Sequence, residues 1–222
     1  MEKQKRISNK SFYEGKVSGL YSPFDLAKQE SKKLGGRIAS LEDCAVWRMA
    51  KGSEFVWIND PHFVSNYFIV NPNKEVYLSN SDFLVRNANP AVEANRNNEQ
   101  HLITEKEIEQ TLKDSIFLGT SGQDPLKIPS CNFSEDPRTI YIFGEHAQDY
   151  GTFLSEQGIH NLPIYLPSDK KYSDHKNAAC IVPIFLHDLS QDSAILSNDN
   201  IAYFSTRIVY PNLINRILKR KI

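Results

Sequence analysis

The adjacent glycines Gly35 and Gly36 divide a helical pattern from a short apolar segment, and the unit they organise, Ala27 to Asp60, constrains the fold more than any other stretch. Ser22 before Pro23 reads as a helix start: the serine oxygen can accept from an orphan backbone N–H, and proline at the first helical position gives up no needed donor. Phe24, Ala27, Ser31 and Leu34 then fall three, four and three residues apart, on one helical face that is expected to be buried. Gly35 and Gly36 stop this helix where a left-handed residue is wanted. Arg37-Ile38-Ala39 is short and apolar enough for a strand. Ser40 with Asp43 predicts a second N-cap, leading Leu41, Cys44, Ala45, Trp47 and Met49, and Phe55-Val56-Trp57-Ile58 closes the unit.

This order of residues resembles the N-terminal half of the C-type-lectin-like fold on Ala27, Ser31, Gly35, Gly36, Ile38, Ala39 and Ser40, with Trp57-Ile58 where that family often has a Trp-Ile pair. The resemblance implies an α+β fold in which two helices pack on a twisted, mostly antiparallel sheet. It also shows departures. Ser31 stands where the family has a structural cysteine, and no Glu-Pro-Asn, Gln-Pro-Asp or Trp-Asn-Asp signature is present, because Ile58 interrupts Trp57-Ile58-Asn59-Asp60. Calcium-dependent sugar binding is therefore not supported. Microbial proteins that use the fold as a display scaffold without disulfides or calcium, including the variable proteins of archaeal diversity-generating retroelements, are the nearer comparison. Their ligand surface comes from the C-terminal half, which implies a surface here within Leu186 to Thr206.

Further along, Tyr67-Phe68-Ile69-Val70 and Glu75-Val76-Tyr77-Leu78 flank Asn71-Pro72-Asn73-Lys74, the pattern of a hairpin. Asn87 to Asn98, rich in asparagine and holding Pro90, suggests a loop or short exposed helix. Thr104 with Glu107 is a capping box and Ile103 with Ile108 a hydrophobic staple, which predicts a helix over Glu105 to Asp114. Ile116-Phe117-Leu118 follows as a strand. Gly119, Gly122, Pro125 and Pro129 make 119–134 a linker or long functional loop and the one candidate internal boundary.

Thr139-Ile140-Tyr141-Ile142-Phe143 is a β-branched and aromatic run suited to a buried strand, Glu145 to Gln157 is helical in pattern, and Leu162 to Leu166 returns as a strand. This inserted unit is βαβ-like, and it supplies the alternative fold, a Rossmann-like α/β layer. Ala178 to Leu186, Ala194 to Leu196 and Ile201 to Tyr210 are β-rich, and Leu213, Ile214, Ile217 and Leu218 share a helical face. The expected organisation is a polar, disordered lead-in over residues 1–10 and a single α+β domain over 11–222.

Composition excludes several classes. A formal net charge of −1 argues against nucleic-acid binding through bulk positive charge, and no apolar run is long enough to span a bilayer. The first ten residues lack the apolar core of a secretory signal, so a cytoplasmic location is expected. Cys44, Cys131 and Cys180 are odd in number and form no Cys-x-x-Cys pair; Cys44 and Cys180 read as small buried hydrophobes. No cofactor motif is present. Thr120-Ser121-Gly122 lacks the phosphate-loop lysine and reads as a turn, and no Gly-x-Ser-x-Gly elbow occurs.

Several groups of residues remain as candidates for function. Gly144-Glu145-His146 lies at the start of a helix, where His146 with Glu145 or Asp149 forms an acid/base set; the plainer reading has Glu145 complementing the helix N-terminus and His146 solvated. His160, His175 and His187 with Asp174 and Asp188 concentrate imidazole and carboxylate but lack metal-ligand spacing, so no metal is expected. Arg216 and Lys219-Arg220-Lys221 complement a helix C-terminus more simply than they contact nucleic acid. Last, Asp188, Gln191, Asp192, Asn198, Asp199, Asn200 and Tyr203 form polar loops of the kind that recognise ligands, since tyrosine gives contact area at low entropy cost and asparagine both donates and accepts. The leading expectation is a non-catalytic module that presents these loops to a protein or other macromolecule. The alternative is an α/β enzyme with an acid/base site at Glu145, His146 and Asp149.

Overall fold

The computed structural model describes residues 18–21, 28–29, 32–33, 35–51, 62–81, 97, 102–168, 179–186, 195–197 and 205–209. The first predicted helix lies largely outside these residues, as do Trp57-Ile58 and the basic C-terminal segment. Its end is described: the Gly35 N–H donates to the Lys32 carbonyl at 3.0 Å, and Gly35 takes φ +69°. Strand β2 (Arg37–Ile38) follows, and then helix α1 (Leu41–Lys51). The predicted cap is present. The Ser40 Oγ accepts from the Asp43 N–H at 3.1 Å, while Asp43 Oδ2 accepts from the Ser40 N–H at 2.8 Å. Asp43 also holds the Arg37 guanidinium through both carboxylate oxygens.

Helix α1 is covered on nearly every side: Leu41, Cys44, Ala45, Val46, Trp47 and Arg48 are all buried. Helices of this kind lie in a core rather than on a surface. Cys44 is fully buried there, in the role of a small hydrophobe.

The sheet forks about two strands, β3 (His62–Val70) and β9 (Ala179–Leu186), which pair antiparallel along most of their length. One arm carries β4 (Glu75–Ser79) and β6 (Ser115–Thr120) outward from β3, with β5 (Leu102–Ile103) on the other side of β9. The second arm has β1 (Ser18–Tyr21) and β2 on β11 (Ser205–Val209) beside the start of β3, and β10 (Ile195–Ser197), β8 (Asn161–Tyr165) and β7 (Leu126–Pro129) beyond the end of β9. Only β8 with β10 and β3 with β11 run parallel among the described strands. The fork coincides with an irregularity: Phe63 opposes Phe185 but Tyr67 opposes Pro183, so β3 holds two more residues than β9 in this interval. Such bulges bend a strand and re-aim its groups. Here the Ser65 N–H donates to the Ala39 carbonyl at 2.8 Å, and Asn66 Oδ1 accepts from the Leu41 N–H at 2.7 Å.

The hairpin of β3 and β4 is as predicted. The Lys74 N–H donates to Asn71 O at 2.9 Å and the Asn71 N–H to Glu75 O at 3.0 Å. Helix α2 (Glu105–Lys113) begins at Thr104 with its capping box complete.

Two expectations fail in the second half of the chain. Thr139–Phe143 is not a strand but most of helix α3 (Pro137–Phe143). Asp136 caps it by accepting from the Arg138 N–H at 2.8 Å, and Pro137 sits at the first position, where its missing N–H is harmless. The buried residues Thr139, Ile142 and Phe143 recur at helical spacing, while Ile140 is exposed. The local cap and the 3.6-residue period therefore override β propensity. With the strand goes the βαβ reading of this insert, and with it the Rossmann-like alternative, which needed that strand at the centre of a parallel sheet. The predicted helix and following strand do form, as α4 (Ala147–Glu156) and β8.

The second difference is 119–134, expected as linker or loop. It contains β7, paired with β8, and a 3-10 turn, Ser130–Asn132, packed against α4. Contact between turn and helix is close at Gly151: a Cβ there would lie 2.3 Å from the Ser130 carbonyl oxygen and 2.8 Å from the Phe133 Cβ. Phe133, Phe143 and Tyr150 pack together beside this contact, with the Phe143 and Tyr150 ring centroids 4.8 Å apart. The buried Arg48 reaches the same cluster, its Nη1 donating to the Tyr150 hydroxyl at 3.0 Å.

Candidate functional site

Three described elements meet at residues 144–146: the end of α3, the start of α4 and the first turn of α1. Gly144 ends α3 with φ +57° and ψ −135°, a backbone conformation open to glycine and strained for any other residue. The following 3-10 turn, Gly144–His146, leads directly into α4. On the α1 side, Glu42 turns its carboxylate onto this junction, and Oε1 lies 2.8 Å from the position a Gly144 Cβ would occupy. Its pKa is raised, first because burial disfavours the charged form, while His146 pulls in the opposite direction and Asp43 and Glu145 add to the rise.

The three candidate acid/base residues differ in their exposure. His146 is largely covered, with 13% of its side chain exposed, whereas Glu145 is 82% exposed. Their closest approach, His146 Nε2 to Glu145 Oε1, is 3.8 Å, an ion-pair distance and too long for a hydrogen bond. Asp149, in the first turn of α4, is exposed. General acid/base chemistry needs such groups within reach of one bound substrate, and this geometry places two of the three in solvent. The residue that does approach the His146 turn is Glu42, which the sequence analysis passed over. Its signal was available: an acidic residue in the first turn of a helix whose N-cap was already assigned.

A second polar assembly was also missed. Asn66 is buried and links Leu41 to Asn80, whose side-chain nitrogen donates to the Tyr141 carbonyl at 2.6 Å. The Asn80 N–H donates to the Tyr141 hydroxyl at 3.0 Å, and that hydroxyl donates to the Asp114 carbonyl. Burial of Tyr141 pushes its hydroxyl pKa up. The chain of bonds ties α1, the hairpin, the end of α2 and α3 into one unit. The polar pair Ser65-Asn66, breaking the otherwise apolar and aromatic run Phe63 to Val70, was the available sign of this assembly.

The loop residues Asp188, Gln191, Asp192, Asn198, Asp199, Asn200 and Tyr203 lie outside the described residues, as do His175, His187 and Asp174. His160 is exposed, and its carbonyl accepts from the Ser130 N–H at 2.9 Å. The Thr120-Ser121-Gly122 segment is a turn, with Ser121 buried and its Oγ donating to the Pro167 carbonyl at 2.7 Å. Among the described residues no cluster of three or more His, Cys, Asp or Glu could hold a metal ion, and no helix is long and apolar enough to cross a membrane.

No protein-family model matches the chain, and no curated protein sequence matches it either. A solved structure does. It is a protein studied for how the C-type lectin fold accommodates massive sequence variation in Nanoarchaeota; it aligns with a TM-score of 0.59 at 16% identity, over 88% of this chain and 96% of that one. At that identity the likeness is one of fold, and it agrees with the α+β class, the mostly antiparallel sheet and the resemblance carried by the Gly35-Gly36 unit.

Proposed function

We propose that this chain, which has a C-type lectin fold, is a non-catalytic binding module whose recognition surface is made by residues 187–194 and 198–204, the segments joining β9 to β10 and β10 to β11. The observation that carries the reading is the fold likeness, because the matched protein is one in which this fold accommodates massive sequence variation. A scaffold that tolerates exchange of surface residues suits recognition. Composition of the two segments supports the choice of surface: Asp188, Gln191, Asp192, Asn198, Asp199, Asn200 and Tyr203 offer adaptable hydrogen bonding and one rigid aromatic anchor. The ligand class proposed is a protein or another macromolecule, bound by one α+β unit over residues 11–222 without a cofactor.

Site-specific photo-crosslinking tests this in the native host. A photoreactive residue placed at Asp192 or at Asn198 should give a discrete adduct, and one at the exposed Glu156 of α4 should give none. Equal labelling at all three positions, or adducts at Glu156 alone, overturns the assignment of the surface.

A further inference from the structure

We propose that the outer edge of β6 is a self-association site, where a second copy of this chain adds its own β6 antiparallel about a two-fold axis at Phe117. Strand β6 ends its arm of the sheet: it pairs with β4, and no described strand pairs with its other side. Such an edge presents a row of N–H and C=O groups that templates pairing with another strand, and proteins blunt it with brevity, charge or proline. The other outer strands carry those devices. Strands β2 and β5 are two residues long and β1 is four, while β7 has the exposed Lys127 and ends on Pro129. Strand β6 has six residues, Ser-Ile-Phe-Leu-Gly-Thr, without a charge or a proline.

The residues of β6 are arranged to meet themselves. Leu118 is buried and Ile116 packs against the core, whereas Phe117 between them is 51% exposed, more than Ile140 or Tyr165 at 44%. Tyr77 of β4 supports the Phe117 ring by an edge contact, with centroids 5.5 Å apart. A two-fold axis at Phe117 sets Phe117 opposite Phe117, Ile116 opposite Leu118 and Ser115 opposite Gly119. Apolar groups then face apolar groups, and the small residues flank the two rings; cross-strand aromatic pairs of this kind are favourable, and an isologous contact needs this self-complementarity. A formal net charge of −1 adds little repulsion between copies. Leu118 is also the extra residue of a bulge, since Phe117 opposes Tyr77 but Gly119 opposes Val76. The added twist confines the shared ladder to 115–119 and makes the association a weak one.

Sedimentation velocity of the full chain reads the association. A reversible dimer is expected at about 100 µM chain and its dissociation on dilution to about 1 µM, the behaviour of a small, transient interface. Phe117→Lys puts a charge from each copy at the axis without touching the core, and should weaken dimerisation by about tenfold or more. Ile140→Lys, at an exposed apolar residue of α3, should leave it unchanged. Amide hydrogen exchange of the unaltered chain supplies a check that needs no variant: amides within 115–119 should slow at the higher concentration, and those of β7 should not. A chain that stays monomeric at about 100 µM overturns the proposal. So does a dimer that is unaffected by Phe117→Lys or weakened as much by Ile140→Lys, and so does concentration-dependent protection that leaves out 115–119.

Discussion

The side chain of Asn66 and the backbone of Leu41, twenty-five residues apart, are joined by a 2.7 Å hydrogen bond that fixes the start of α1 to the bulge of β3. Because Asn66 is buried and also donates to Asn80, one residue satisfies a helix N–H and extends the bonding to α3. Asn66→Ala leaves the Leu41 N–H without its acceptor. The expected loss is about 1–3 kcal/mol, the cost of a buried unsatisfied donor, measured as a shift in urea midpoint at unchanged slope. A loss below about 0.5 kcal/mol would mean that the bond contributes little beyond geometry.

Gly151 is held by space. Gly151→Ala drives a methyl against the backbone of Ser130, which has no flexible end to yield, and a loss of about 3 kcal/mol or more is expected. Gly35→Ala meets open space and is penalised through its positive φ alone, at about 1–2 kcal/mol. Thermal denaturation of the two variants should rank them in that order.

Tyr150→Phe removes the hydroxyl that accepts from Arg48 while keeping the ring in the Phe133–Phe143 cluster. A charged donor deprived of one buried acceptor should cost about 1.5–3 kcal/mol, far more than the loss of a single oxygen from a dry core. A variant as stable as the parent would show that Arg48 finds another acceptor without strain.

Asp136 and Glu42 should give stability opposite dependences on pH. The Arg138 guanidinium beside Asp136 holds its pKa below the usual carboxylate value, so its contribution is present at neutral pH and is lost as pH falls through the acid range. Glu42 has its pKa raised by burial, so its contribution is present in acid and is lost as pH rises through its folded-state value. Asp136→Asn should therefore flatten the acid limb of the stability profile, and Glu42→Gln should raise stability at neutral pH relative to the parent. Stability profiles from chemical denaturation at a series of pH values would check both signs.

Where one local device decided the structure, the sequence was informative. Gly35, the Ser40–Asp43 cap, the turn at Asn71 to Lys74 and the Thr104–Glu107 box each act within a few residues, and each is found as expected. The strand expected at Thr139 to Phe143 failed for a related reason: the deciding residues, Asp136 and Pro137, stand just before the run that was weighed. Gly151 and Asn66 were illegible in another way. Their roles depend on Ser130 and Leu41, contacts made only by the folded chain. For the candidate site, His146 and Glu145 were found as neighbours in sequence, while Glu42 comes from a helix far earlier in the chain and no local pattern connects them.

The forked sheet sets the order in which this chain can mature. Val70 pairs with Cys180, 110 positions later, and that pairing joins the two strands from which the arms of the sheet extend. During synthesis from the N-terminus, hairpin and capped helices can form as they emerge, but β9 follows all of them, and β11, which also pairs with β3, is later still. Until β9 emerges, the edge of β3 that it pairs stays unsatisfied, so this architecture carries an exposure to aggregation during synthesis that the finished fold does not show.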